Sequence, residues 1–168
     1  MAVTQQLARV SGEYLERCRA TAVARPDADP DWYPPVDDLL DLDWAPSPLI
    51  DVFGLAGVAP STRAALVRAL DGDPEVDVSY LRHPEATGCF GPPPTALAPE
   101  SVAGVAAELT ALDGVEVLAA IPADRYAALV GDGFTGDPSA YLTTHFTALR
   151  DFYENAARRG LFVVLWWD

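Results

Sequence analysis

Toward the end of the chain the apolar positions follow two successive rhythms. Leu142, Phe146, Leu149, Tyr153 and Ala156 recur at steps of four and three, the spacing of one helix face, and His145 and Phe152 widen the stripe. Asp137 and Pro138 supply a cap and a first helical residue, Arg158 and Arg159 place cations at the carbonyl end, and Gly160 suits the residue that ends the helix. The pattern predicts a helix of about 20 residues, about 30 Å long. The rhythm then stops. "LFVVLWW" is apolar without alternation, which predicts a strand buried on both faces or placed centrally in a sheet. It is far too short to span a bilayer.

Upstream, "VTQQLARV" (3–10) reads as an opening strand. Ser11 then caps a helix with Glu13 in its first turn, Leu15, Cys18 and Ala22 on one face, and an end before Pro26. Residues 26–48 carry seven aspartates and no cation, yet Trp32, Tyr33, Leu39, Leu40, Leu42 and Trp44 interrupt them. That mixture predicts an ordered wrapping loop with a short helical turn around Val36–Leu42, and 49–57 adds another turn. Ser61, after Pro60, caps a short helix over 62–70 with Ala65, Leu66 and Ala69 inward. Val76, Val78 and Tyr80 alternate and suggest a short strand within 72–84.

The stretch 88–112 begins as a glycine–proline loop. Pro99 then opens a helix with Val102, Val105, Ala106 and Leu109 on one face. Asp113 and Glu116 have capping-box spacing, so 114–120 is a helix or, alternatively, a strand at "VEVLAAI". A helix over 123–130 and a turn-rich connection over 131–137 complete the chain. The fold class these elements imply is α+β: a single domain over 1–168, with helices packed on a small mixed sheet that includes the C-terminal strand.

Charge removes several functions. The formal net charge is −14, and the 11 cationic side chains are all arginine. Without lysine there is no phosphate-loop lysine, Schiff-base lysine or lysine general base. Nucleic acid and anionic membrane surfaces are disfavoured as partners, whereas a basic protein or a cationic small molecule is favoured electrostatically. Cys18 and Cys89, the two cysteines, read as free buried thiols, and the opening residues lack a signal-peptide pattern. A cytoplasmic location is the expectation.

Candidate chemistry is sparse. Asp37, Asp38, Asp41 and Asp43 place four carboxylates within seven residues, but the glycine and closing glutamate of a calcium loop are absent. A solvated acidic face is preferred over a metal site. "GCFGPPP" lacks the spacing and the lysine of a phosphate loop, though Phe90 can line a groove. His83 and His145 have no local zinc-ligand motif, and a nucleophilic pairing of either with Cys89 has no geometry to support it. No cofactor or metal is implied. The residues singled out for a surface or pocket are Trp44, His83, Cys89, Phe90, His145, Tyr153, Trp166 and Trp167. The aromatic stripe of the last helix is read as core, with a homodimer face as the alternative.

Four segments, in order, resemble the YfbM-like family of bacterial proteins, a conserved domain of unknown function. They are "LARVSGEYLE" (7–16), "LLDLDWAPSPLIDVF" (39–53), "GCFGPPPTALAPESVAGVAAEL" (88–109) and the closing 141–168. In the last, Tyr141, Leu142, Phe146, Leu149, Phe152, Tyr153, Ala156, Ala157, Gly160 and Val163–Asp168 carry the likeness. Asp43 stands where relatives place a basic residue before the tryptophan, and Pro93 and Pro94 stand where they commonly place an arginine. The resemblance implies a compact α+β fold with strands at both ends, and no activity. Two function classes follow: a non-enzymatic interaction or small-ligand-binding domain, or an enzyme, such as a hydrolase, using carboxylate and histidine chemistry.

Overall fold

In the computed structural model, which describes residues 4–88, 91–130 and 134–168 less the side chains of Ala127 and Val130, the centre is a pairing of distant strands. β1 (Gln5–Val10) runs antiparallel to β4 (Phe162–Trp167), in unbroken register from Gln5 opposite Trp167 to Val10 opposite Phe162. Two three-residue strands flank them, β2 (Leu39–Asp41) beside β1 and β3 (Thr95–Leu97) beside β4, giving the order β2-β1-β4-β3. All three pairings are antiparallel, so the α+β class holds while the expected mixed sheet does not. Antiparallel bonds run perpendicular to the strands and are stronger per residue, which suits edge strands this short.

Successive side chains on a strand face opposite ways, and both faces of this sheet are covered. Val163 and Leu165 of β4 and Leu7 of β1 join one apolar cluster; Val164 and Trp166 of β4 and Ala8 and Val10 of β1 join another. Hence the strand lacks alternation: every side chain from Val163 to Trp166 is buried, each apolar one stabilising by about 1.5–3 kcal/mol.

The first cluster is closed by α2 (Pro46–Leu55), α3 (Pro60–Asp71), α4 (Pro99–Ala111), α5 (Gly114–Ala120), α6 (Ala123–Val130) and α7 (Pro138–Arg159). Leu142, Phe146, Leu149, Tyr153 and Ala156 of α7 are fully buried in it. The second face is covered by α1 (Gly12–Ala24) and by irregular chain. Trp32 is the centre of that cover, edge-on to Trp166 at 5.8 Å and to Tyr14 at 5.7 Å between ring centroids. The aromatic-bearing acidic loop is therefore a lid over the sheet.

The caps predicted at Ser11, Asp113 and Asp137 are in place. Ser11 Oγ accepts from the Tyr14 N–H (3.1 Å), Asp113 Oδ1 from the Glu116 N–H (3.1 Å), and Asp137 Oδ1 from the N–H groups of Ser139 and Ala140 (2.9 and 3.2 Å). Gly160 ends α7 in the left-handed region at φ 63°. With Asp113 capping it, 114–120 is helix rather than strand.

Elsewhere the chain departs from expectation. α3 starts at Pro60, so Ser61 lies inside the helix and Ala59 precedes it without a side-chain cap. Proline has no N–H to satisfy and its fixed φ suits the first turn. The turn expected over 49–57 is the ten-residue helix α2. The alternation of Val76, Val78 and Tyr80 is not a strand: Ser79–Leu81 form one 3-10 turn, and Asp73 makes a lone bridge to Ala96. Val78 and Leu81 are buried against the second face of the sheet, with Tyr80 Oη donating to Leu15 O (3.2 Å). The helical turn expected over Val36–Leu42 stops at Asp38, and β2 begins at Leu39. No helix among the described residues is long and apolar enough to cross a membrane.

Candidate functional site

Where β2 ends, the chain is held by β1 for two more residues: Leu42 N–H donates to Gln5 O, and Gln5 N–H donates to Asp43 O. Asp41 Oδ1 then accepts the Asp43 N–H (2.7 Å), and Asp43 takes a left-handed backbone at φ 51°. That conformation costs a non-glycine residue about 1–2 kcal/mol, least for Asn and Asp. It is anchored from across the molecule. Tyr141, in the first turn of α7, donates its hydroxyl to Asp43 Oδ2 (3.1 Å) and accepts the Trp44 N–H (3.2 Å).

These contacts frame a pocket of ≈ 270 Å³ between the β2–α2 connection, the end of α6 and the start of α7. Asp43, Trp44, Pro48, Leu129, Phe134 and Tyr141 line it, with Thr135. Phe134 packs edge-on to Tyr141 at 5.1 Å, and His145, one turn further along α7, also packs edge-on to Tyr141, at 4.4 Å. Trp44 is 59% exposed. Burial, and then the Asp43 charge, push the Tyr141 hydroxyl up to about 12, so it stays protonated and keeps donating at neutral pH. Burial holds the half-buried His145 below the usual histidine range, although the Asp43 and Asp41 charges oppose it. The result is an aromatic-walled recess lined, among the described residues, by one carboxylate, that of Asp43.

Of the residues singled out from sequence, Trp44 lines this pocket and His145 lies behind it. The others are elsewhere. His83 Nδ1 accepts the Glu85 N–H (3.2 Å) in a turn. Tyr153 is fully buried, its hydroxyl donating to Ala69 O (2.8 Å), so it is a core residue and lines no surface. Trp166 is buried beneath Trp32, while Trp167 is half-buried at the end of β4. Cys89 and Phe90 lie outside the described residues. Phe134 was not singled out; Asp43 was weighed only as one of four clustered carboxylates and as a departure from relatives, and Tyr141 only as part of the family likeness. One available signal is that Tyr141 and His145 stand four residues apart on the flank of the α7 stripe, forming an aromatic pair beside the core face.

The acidic stretch is not a uniformly solvated face. Asp38 Oδ1 accepts from Arg9 Nε (2.8 Å) and Arg159 Nη1 (2.5 Å), and its side chain is 14% exposed. It joins β1 to the end of α7. Among the described residues no group of three or more histidine, cysteine or acidic side chains is arranged to hold a metal ion. A larger concavity, ≈ 700 Å³, runs along α3 beside Arg63, Arg68 and Asp73. It has no aromatic wall, and two of its four charged side chains, Arg68 and Asp73, are paired with each other (2.5 Å). The smaller pocket therefore holds the more specific chemistry.

A crystal structure of YfbM from Escherichia coli, a protein of unknown function, aligns over 96% of this chain and 98% of its own, with a TM-score of 0.57 and 18% identity. The fold is that of YfbM. The likeness read from four ordered segments is thus shown at the level of architecture, strands at both ends included. YfbM brings no activity with it. No family model matches the chain, and no curated protein matches it.

Proposed function

We propose that the protein is a non-enzymatic small-ligand-binding domain whose ligand seats against Trp44, Phe134 and Tyr141. The observation that supports this is the pocket itself: apolar and aromatic walls with one placed polar pair, Asp43 and Tyr141, whose positions are fixed by hydrogen bonds from two distant elements. Small-molecule sites have that composition, and ≈ 270 Å³, just below their usual range of about 300–1,000 Å³, suits a small ligand. A hydrolytic reading draws on His145, kept neutral by burial near Asp43. It is the weaker one, because the ring of His145 is turned to Tyr141 and does not line the pocket.

Native mass spectrometry on the purified protein, beside a thermal-shift screen of a small-metabolite library, tests the binding reading. A mass adduct or a stabilising compound that is lost in Trp44→Ala supports it. Ligands retained fully by Trp44→Ala, or bare protein together with a library that shifts nothing, would overturn it. Trp44 is mostly exposed, so its removal leaves the core intact and the comparison interpretable.

A further inference from the structure

We propose that the ligand is an organic cation, a substituted ammonium or guanidinium group, and this rests on the small-ligand role proposed for the pocket. Three aromatic side chains, Trp44, Phe134 and Tyr141, contribute to the walls. Aromatic faces carry negative quadrupole charge and attract an ammonium or guanidinium ion, and recesses with several such rings are suited to alkylated cations. Asp43 supplies the countercharge. Its carboxylate accepts the Tyr141 hydroxyl at Oδ2, so the charge sits at the hydroxyl edge of an aromatic wall residue. Asp41 adds a second negative charge nearby, linked through the Asp43 N–H.

Competing ligand classes fit less well. An anion would meet Asp43 directly and a protein of net charge −14 at long range, with no cationic side chain among the described residues of the pocket wall. A hard metal ion needs six or more oxygens, and among the described residues the wall offers one carboxylate, the Thr135 and Tyr141 hydroxyls and backbone. A purely apolar ligand would desolvate the Asp43 carboxylate with only the Tyr141 hydroxyl to compensate its charge. A cation with an apolar body satisfies both halves of the pocket.

The test uses choline as probe, 3,3-dimethylbutan-1-ol as its neutral isostere and methylguanidinium as a second cation. Binding is followed by NMR at the Trp44 indole N–H and by titration calorimetry. The expected result is that at least one cation binds, at weak affinity, and that the neutral isostere binds at least about tenfold less well. Asp43→Asn keeps a residue that tolerates the left-handed backbone, and it should weaken the cation by about tenfold while leaving the isostere unchanged. Tyr141→Phe keeps the ring and should cost less than Trp44→Ala. Equal binding of choline and its isostere would sink the charge argument while leaving a small-ligand pocket standing. A co-purified anion or neutral compound lost in Trp44→Ala would do the same. If no cation perturbs Trp44 and no other compound does, both readings fail together.

Discussion

Val164 is fully buried on the second face of the sheet, and its strand is flanked on both sides, so a charge placed there has no route to water. Val164→Asp buries a carboxylate without a partner, at a cost of several kcal/mol, comparable with the whole of a domain's stability of about 5–15 kcal/mol. Soluble expression should be abolished; a soluble variant melting at the wild-type temperature would refute the strand's place in the core. Asp38 is the opposite kind of residue, a carboxylate whose charge is wanted. Arg159 first, and Arg9 after it, hold its carboxyl below the usual carboxylate range. A depressed folded pKa contributes stability above the unfolded value, about 3.9, and that contribution disappears as pH falls through the lower folded value. Asp38→Asn should therefore cost about 1–3 kcal/mol at pH 7, since it leaves Arg9 and Arg159 without their charge partner. The gap between the two proteins should close as urea titrations are taken below about pH 4. A gap that stays constant down to about pH 2 would show that the ion pair is not its source.

At the scale of elements, local signals predicted well where they were strong. α7 announced its period, its Asp137 cap, its Pro138 start and its Gly160 stop, and each is where the residues place it. Gly160 also offers a clean measurement. A Cβ added there meets nothing within 4 Å, so Gly160→Ala probes the left-handed backbone alone. It should lower stability by about 1–2 kcal/mol with an unchanged denaturant slope. An unchanged midpoint would mean that the helix ends without that conformation. What was not legible is equally physical. β2 and β3 have three residues each, too few for alternation to register, and they exist because β1 and β4 present bonding edges. Val76, Val78 and Tyr80 alternate because they cover a surface, not because they form a strand. The pocket depends on contacts between residues 43–44 and 141, far apart along the chain, and no local pattern encodes that meeting. Trp44 was visible as an aromatic in an acidic loop, but its partners were hidden inside a helix start.

For the molecule as a whole, net charge is the dominant solution property. With −14 formal charges on 168 residues, self-repulsion should be felt at low ionic strength. Added sodium chloride should raise the melting temperature at pH 7 by a few degrees, because long-range repulsion is screened more than the partly buried Asp38 pairs. A fall in melting temperature with salt would mean that the ion pairs outweigh the repulsion.

Both extremities of the described chain meet in one ladder: Thr4 N–H donates to Asp168 O (2.7 Å) and Asp168 N–H to Thr4 O (3.0 Å). The middle of the sheet therefore carries the largest loop-closure cost, since its two strands must find each other across the entire intervening sequence. Covalent order can be changed without touching the contacts. Linking Asp168 to Thr4 with a two-residue Asn-Gly turn, and opening the chain at the exposed Ala56–Gly57 junction, would recast β4 and β1 as an ordinary hairpin. Such a circular permutant should refold faster than the parent, because its most distant contacts have become neighbours.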